Sequence, residues 1–401
     1  MQNKAFRALV ILSFLSAPIL SLTSAAFGGA TRVRNIYGEL EWVQVGNLSQ
    51  VLGWVLLLCY MFLGSMSVIS FRNESTLSRS PKTLGIVLFC SGVIALLSVL
   101  WNRTNWPVQN LLPFLTFCLC TFAAYRVPVP RMISKTLAKL TVLVLAITVI
   151  FAILNPTYSA APCREDKCEQ FGFLLNSFFP HENFLAMFLL ASFPFLASIK
   201  RIWYRRIAVS ISSILIYLTG SRVAYFALFV FFLFWVTKKA KLLTYALPIA
   251  IATSAVIFVS VRGIDFTDRG LIYAALWSEL RDKFIFGGGP LTLQNAFAHN
   301  LLPGFLPSHE HGFAPHVITT IGVLGFLSIL VFSCIAVTKT RKITVTSVSL
   351  TLLLPVAILF LTASTETPIL LNASGPFSWA WYLFVSVSRE ESDNLETSLS
   401  S

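Results

Sequence analysis

Charged residues are scarce in this chain: of 401 residues only 12% are Asp, Glu, Lys or Arg, while 56% are hydrophobic. Soluble domains carry about 25% charged residues, so this shortage excludes a soluble globular protein. The mean hydropathy of +0.76 leads to the same conclusion. Internal repeats and low-complexity linkers are also lacking, which excludes repeat architectures and long disordered spacers.

The sequence is instead rich in long apolar runs. A helix needs about 17–25 predominantly apolar residues to cross a bilayer. The sequence therefore predicts an all-α polytopic membrane protein with about 12 transmembrane helices and a large extracytoplasmic loop that contains an amphipathic helix. The runs lie at 5–27, 48–71, 84–101, 110–125, 140–155, 183–199, 202–220, 223–238, 242–261, 316–337, 343–363 and 369–388.

Most of the 30 basic residues fall between alternate pairs of these runs. Positively charged loops stay in the cytoplasm, so the pattern predicts cytoplasmic N- and C-termini and places all five histidines outside. The net charge of +13 is then a topology signal, and we expect membrane lipids, not nucleic acid, as partners. Ser24-Ala25-Ala26 resembles a cleavage site, but the length of the first run favours an uncleaved span.

Three segments follow from this topology. Residues 1–182 hold about five spans and an external loop at 156–182, and residues 183–337 hold the expected catalytic core with an external loop at 262–315. Residues 338–401 hold the last spans and a cytoplasmic tail.

The cysteines divide into two groups. Cys163 and Cys168 lie in the external loop 156–182, where we expect a local disulfide, with free thiols as the alternative. A metal site there is disfavoured because no histidine stands at ligand spacing. The other five occupy apolar runs, where small core residues are expected: Cys59, Cys90, Cys118, Cys120 and Cys334.

Two features outside the main polar stretch have simple interpretations. Trp101 and Trp106 flank the second external loop, where interfacial anchoring is expected. His181 precedes the sixth span, and either a solvated loop position or the rim of a site accounts for it.

Arg222 is the charge nearest to the interior of a span. The two runs around it are so short that the chain must turn sharply at Leu218-Thr219-Gly220-Ser221, with Ser221 as the N-cap of the next helix. A helix N-terminus disfavours a cation unless an anion is also bound, so Arg222 is a candidate anion ligand. Snorkelling of the side chain to lipid headgroups is the alternative.

A second arginine shows the same pattern. With Asp268 as N-cap, Arg269 begins a predicted helix whose apolar residues repeat at intervals of four. The stripe consists of Ile272, Leu276, Leu280 and Phe284, flanked by Tyr273 and Trp277, and it predicts a helix in the membrane interface. Two arginines at helix starts suit the bidentate binding of a pyrophosphate, although lipid headgroups would satisfy the same residues.

The stretch Ser308-His309-Glu310-His311-Gly312 concentrates imidazoles. Residues two apart point in different directions in a helix or strand, and no third ligand has metal-like spacing, so a metal site is disfavoured. An imidazole with Glu310 beside it suits general-base chemistry on a hydroxyl. Solvated loop histidines are the alternative.

These residues resemble motifs of the O-antigen ligase and O-antigen polymerase superfamily. His311 and Gly322 reproduce the family's His-x10-Gly pattern, and Ser221-Arg222 is similar to its Ser-Arg at a helix start. Asp268-Arg269 and the glycines at 287–289 resemble the segment before the histidine motif. The resemblance covers about 176–325, and the chain departs from it where His311 is followed by Gly312 in place of the usual Asn.

The resemblance implies a metal-independent inverting glycosyltransferase, without cofactor, in the bacterial cytoplasmic membrane. Its donor would be a polyprenyl-pyrophosphate-linked glycan, and its acceptor a glycan, lipid or protein hydroxyl on the extracytoplasmic face. His311 would be the base, Arg222 and Arg269 would hold the pyrophosphate, and His309, Glu310 and His181 are secondary candidates. A transporter or exporter of envelope polysaccharide or small solutes, and a scaffold protein, are the rival classes.

The topology carries the first testable prediction. Single cysteines introduced at 300 and 340, in a chain freed of its native thiols, should react with an impermeant reagent from outside and inside respectively, because basic residues follow the second position. Outside labelling at both positions contradicts the predicted orientation.

Overall fold

Helices make up most of the structure, a computed structural model of the chain. It describes residues 2–26, 30–34, 40–44, 47–72, 82–102, 105–129, 132–162, 172–236, 240–260, 269–299, 301, 312–340, 347–362, 375 and 377–388. The helical class predicted from the sequence is confirmed.

The first seven helices are α1 Gln2–Ala26, α2 Asn47–Arg72, α3 Lys82–Trp101, α4 Val108–Arg126, α5 Ile133–Leu154, α6 Pro156–Ser159 and α7 Glu182–Ala197. The remaining ones are α8 Ile202–Leu218, α9 Arg222–Val236, α10 Ala246–Ser260, α11 Arg269–Leu280, α12 Thr292–Ala298, α13 Phe313–Thr340, α14 Ser347–Phe360 and α15, which spans 378–388. A 3-10 helix at Ala240–Tyr245 precedes α10.

Two short antiparallel hairpins, which the sequence did not predict, interrupt the helices. Strands β1 (Ala30–Arg34) and β2 (Leu40–Gln44) pair with Ala30 opposite Gln44. Strands β3 (Ala160–Pro162) and β4 (Phe173–Leu175) pair in the predicted external loop 156–182, with Ala160 opposite Leu175.

Within the described residues, seven helices are long and apolar enough to cross a membrane: Lys4–Ala26, Gln50–Ile69, Leu84–Trp101, Val108–Arg126, Ile133–Leu154, Leu242–Ser260 and Phe313–Thr338. Shorter apolar helices lie at Glu182–Ala197, Arg222–Val236 and Thr351–Phe360. The chain is therefore a membrane-spanning protein by its helices, while the number of about 12 spans stays a prediction.

Two short helices, α7 and α15, lie at the centre of the bundle. Nearly every described side chain of α7 is buried, and α7 packs on α5, α8, α9 and α14. Trp379 of α15 is fully buried and contacts Phe14 of α1 and Phe195 of α7 with ring centroids 5.1 and 5.8 Å apart. The three segments recognised in the sequence thus share one hydrophobic core.

The outer helices expose large apolar side chains, as a lipid-facing surface requires. Phe62 of α2, Phe89 of α3 and Ile153 of α5 are 64%, 72% and 71% exposed. Cys90 and Cys334 are also exposed, so the expectation that all five span cysteines are core residues is wrong for these two. Cys120 is buried as expected.

Candidate functional site

The helix that follows the candidate loop is broken at Gly322. This residue has φ 79° and ψ 177° inside α13, so the helix consists of two parts, 313–321 and 323–340. A positive φ of this kind is accessible to glycine and strained for other residues. The conformation interrupts the backbone hydrogen-bond ladder of an apolar helix.

The backbone groups released by the break are bonded to another segment. Val323 N donates to Phe284 O at 3.0 Å instead of to the carbonyl of Thr319 one turn earlier. The carbonyl of Thr319 instead accepts from Gly288 N at 2.7 Å and Gly289 N at 3.1 Å. The break therefore exchanges helix bonds for bonds between two chain segments, which satisfies groups that a bilayer would leave unsatisfied.

Glycines make this close approach possible. A Cβ on Gly287 would lie 2.5 Å from Gly322 N, and a Cβ on Gly322 would lie 2.6 Å from Gly287 N and closer still to Ile285 O. Gly287 and Gly289 also have positive φ values, 77° and 84°. We call the packed backbone of Gly287–Gly289 and Gly322 the glycine junction.

Side chains from the end of α3 hold the glycine junction from the opposite side. Asn102 Nδ2 donates to Gly287 O, and Asn105 Nδ2 donates to Gly288 O at 2.7 Å. Ser98 Oγ donates to Thr320 O at 3.1 Å. Residues of the predicted second external loop are thus a structural part of this region, which the sequence did not indicate.

Trp106 belongs to the same loop and is 5% exposed, so the expectation of interfacial anchoring is wrong for this residue. Its ring packs on Phe114 with centroids 4.8 Å apart. A Cβ on Gly289 would lie 3.0 Å from Trp106 Nε1, so the indole also leaves no room for a larger residue at that glycine.

The short helix α12 extends from the glycine junction. Thr292 Oγ1 donates to Gly289 O at 2.6 Å and is also 3.3 Å from Thr319 O. Asn295 Nδ2 donates to Asn105 Oδ1 at 3.3 Å. Helix α12 is therefore fixed at its start by the junction and on one side by Asn105.

The N-terminal part of α13 is attached to two other helices. Ala314 N donates to Ser254 Oγ of α10 at 3.2 Å. Gly312 lies against α11, since a Cβ there would be 3.2 Å from Tyr273 Oη. The backbone of His316 bonds back to Gly312 O at 3.2 Å. The residue that follows His311 is consequently held between α10 and α11.

Helix α11 spans Arg269–Leu280, so Phe284 follows in a turn. Its apolar stripe packs inside the protein: Leu276 and Leu280 are fully buried. Trp277 stacks on Phe258 of α10 with ring centroids 5.2 Å apart and planes at 6°. This aromatic packing ties α11 to α10, and the position of the helix in the membrane interface stays a prediction.

An ionic cluster joins the ends of α11 and α12. His299 Nδ1 lies 2.9 Å from Glu279 Oε2, and Lys283 Nζ lies 3.1 Å from Glu279 Oε1. The Glu279 side chain is 8% exposed, against 64% for His299. The sequence gives no signal for this pair, because Glu279 precedes His299 by twenty residues.

Arg222 begins α9, and the predicted sharp turn is present. Helix α8 ends at Leu218, Gly220 has φ 66°, and Ser221 occupies the N-cap position with its carbonyl accepting from Tyr225 N at 3.0 Å. The side chain of Arg222 is exposed. Both arginines are therefore at helix starts, Arg222 on α9 and Arg269 on α11.

The helices that carry Arg222 and Arg269 have different neighbours. Helix α9 packs on α7, α14 and the 3-10 helix, while α11 packs on α12 and α13. A meeting of Arg222 and Arg269 on one pyrophosphate therefore stays a prediction.

His181 is the N-cap of α7, and its side chain is 38% exposed. Its Nδ1 accepts from Asn183 N at 3.1 Å and lies 3.4 Å from Glu182 Oε2. Glu182 is 3% exposed in the first turn of α7, where the helix dipole favours a carboxylate. The geometry explains His181 as a capping residue of the central helix.

Several predicted residues lie outside the described part of the chain: His309, Glu310, His311, Cys163, Cys168 and Asp268. The base, the disulfide and the second N-cap therefore stay predictions. Among the described residues no group of three His, Cys, Asp or Glu side chains is placed to hold a metal ion.

Comparison of the chain with protein-family models found no match, and comparison with curated protein sequences found none either.

The glycine junction gives a stability prediction. Gly322→Ala should lower the stability of the detergent-solubilised protein by at least about 3 kcal/mol, because positive φ alone costs about 1–3 kcal/mol and the new methyl group meets backbone atoms. Gly92→Ala in α3 is the matched control: its Cβ has no neighbour within 4 Å, so the variant should be unchanged or more stable by up to about 1 kcal/mol. Thermal unfolding of both variants and the wild type checks this. Equal unfolding midpoints of Gly322→Ala and Gly92→Ala would contradict the close packing at the glycine junction.

Proposed function

We propose that this protein is a membrane glycosyltransferase that transfers a polyprenyl-pyrophosphate-linked glycan to an acceptor hydroxyl on the extracytoplasmic face. The observation that carries the proposal is the pairing of His311 with Gly322 at the family spacing. In the structure Gly322 is a helix break that the protein bonds from two sides. Such a break fixes the start of α13, and the histidine motif directly precedes that start.

The chemistry needs few catalytic groups. The acceptor oxygen forms a bond to the anomeric carbon while the bond from that carbon to the pyrophosphate oxygen breaks, which inverts the centre. His311 takes the hydroxyl proton, and the electron pair leaves with the lipid pyrophosphate. Since pyrophosphate is a good leaving group, the protein mainly positions two substrates and neutralises departing charge.

Arg222 and Arg269 are assigned to the pyrophosphate. Both stand at the first position of a helix, where backbone N–H groups without helical partners add to the guanidinium. A planar guanidinium binds two phosphate oxygens at once, and exposure of the Arg222 side chain makes it accessible to a ligand.

A transporter is the second candidate, and the break in α13 is the observation that favours it. Transporters use broken membrane helices whose free backbone groups bind ions or substrates. In this protein, however, the carbonyls of Thr319 and Thr320 and the N–H of Val323 are bonded to Gly288, Gly289, Ser98 and Phe284. The protein's own atoms fill the positions that a transported ion would take, so transfer chemistry at the loop is the better explanation.

The function is tested in cells by analysing lipid-linked glycans in a strain that lacks the protein. Transfer predicts that the donor accumulates: accumulated polymer identifies a ligase, and a single unextended repeat identifies a polymerase. Unchanged lipid-linked pools together with a defect in solute uptake or export would support the transporter instead.

The arginines give a prediction of their own. Arg222→Lys and Arg269→Lys should each reduce turnover of purified lipid-linked donor about tenfold or more, because an ammonium cannot form the bidentate contact. Arg201→Lys, at an exposed position before α8, is the matched control and should retain turnover. Near-normal rates in either test variant would reassign that arginine to headgroup anchoring.

The base is tested by a pair of neighbouring variants. His311→Ala should lower the transfer rate by about 10²–10⁴-fold across pH 5 to 9 while donor binding is retained, since the arginines are untouched. His309→Ala should have a smaller effect, because only His311 stands at the motif distance from Gly322.

Both variants must first be shown to insert into the membrane at wild-type levels. Loss of activity in His309→Ala with retention in His311→Ala would mean that the register is wrong. Full activity in both would remove the catalytic assignment from this stretch.

A further inference from the structure

A carboxylate, an imidazole and an ammonium group meet where α11 and α12 end. Glu279 is the next-to-last residue of α11, and its two oxygens are 2.9 Å from His299 Nδ1 and 3.1 Å from Lys283 Nζ. His299 occupies the C-cap position of α12, where its backbone N–H donates to Asn295 O at 2.9 Å. The backbone of His299 is therefore fixed by α12, and the contact with the Glu279 carboxylate orients its imidazole ring.

The geometry assigns a tautomer to His299. A carboxylate only accepts hydrogen bonds, so His299 Nδ1 must be the donor, and in the neutral ring Nε2 then carries the free electron pair. The Glu279 side chain is 8% exposed and the His299 side chain 64%. The pair thus has a buried anchor and an accessible hydrogen-bond acceptor, while Lys283, 32% exposed, offers donors beside it.

Charge decides which ligand such a cluster takes. The negative charge of Glu279 offsets the positive charge of Lys283, so this ion pair offers a phosphate no net attraction. A carboxylate beside the ring also repels an anion. A sugar hydroxyl, in contrast, both donates and accepts hydrogen bonds, and it matches an acceptor nitrogen next to an ammonium donor.

We propose that Glu279, Lys283 and His299 form a subsite that binds a hydroxyl group of the acceptor glycan, with Glu279 as the positioning residue and His299 and Lys283 as the contacts. This inference rests on the proposed glycan transfer and adds a place for the acceptor. It is distinct from the arginines, which serve the donor.

The position of the subsite fits this role. Helix α12 has seven residues and is about 10 Å long, and its first residue, Thr292, is bonded to Gly289 and Thr319 of the glycine junction. His299 therefore stands one short helix away from the break that anchors α13. The acceptor would be bound next to α13, which the histidine motif directly precedes in the sequence.

The test distinguishes a contact between His299 and the ligand from a purely structural contact between His299 and Glu279. His299→Asn keeps an N–H donor near the position of Nδ1, so the bond to Glu279 is retained while the Nε2 acceptor is lost. With saturating lipid donor and delipidated envelope oligosaccharide of the host as acceptor, this variant should raise the acceptor KM about 5–10-fold, the effect of one hydrogen bond, with kcat within twofold. Arg281→Gln, exposed beside the cluster, is the control and should leave KM unchanged.

The outcomes distinguish failure of the subsite from failure of the proposed function. Wild-type transfer with an unchanged acceptor KM in His299→Asn overturns the subsite and leaves the function intact. Inhibition by inorganic phosphate that His299→Asn relieves also overturns it, because the site would then bind anions. Absence of wild-type transfer refutes the function. Titration of the same oligosaccharide into the full-length protein then decides the subsite: weaker binding by His299→Asn supports it, and equal or absent binding overturns it.

Discussion

A helix that is interrupted within a membrane protein must have its freed backbone groups bonded, because lipid offers no partners for them. This constraint shapes the region around Gly322. The lost helix bonds of Thr319, Thr320 and Val323 are replaced by bonds to residues 284–289 and to Ser98. At the centre of this exchange the two segments approach so closely that a Cβ would meet backbone atoms, and three glycines with positive φ meet there.

The same exchange organises the residues around it. Because Gly287 and Gly288 are bonded by Asn102 and Asn105, the end of α3 is attached to a segment that lies more than 180 residues later in the chain. Helix α12 starts at this junction, and its last turn presents His299 to Glu279. Helix α13 continues from it to Thr340. The candidate site is thus built on a rigid backbone joint between apolar helices, with the polar side chains at its edges.

Sequence reasoning identified the features that depend on local patterns. Apolar runs located the helices, the turn between α8 and α9 followed from the shortness of the chain around Gly220, and the period-four stripe after Arg269 predicted α11. The stripe did not reveal what covers it. Either a membrane interface or the rings of Phe258 and Phe284 could cover such an apolar stripe. Only the structure shows that the stripe is buried within the protein.

The missed features depend on contacts between distant segments. Asn102 and Asn105 were unremarkable in the sequence because their partners are backbone carbonyls, which no side-chain pattern reveals. Trp106 looked like an interfacial anchor since a tryptophan at a span end usually is one. Glu279 and His299 are separated by a turn and α12, so no fixed spacing joined them. The glycine run at 287–289 was the only signal for this junction in the sequence, and it did not indicate that Gly322 packs against it.

The central claim is that His311, together with Arg222 and Arg269, catalyses glycan transfer. The most direct measurement uses purified full-length protein in vesicles with a radiolabelled polyprenyl-pyrophosphate glycan and delipidated envelope oligosaccharide as acceptor. The account predicts that label moves from the lipid to the oligosaccharide in the presence of a metal chelator, with free polyprenyl pyrophosphate as the second product. Label that stays on the lipid, while the vesicles take up or release glycan, would contradict it.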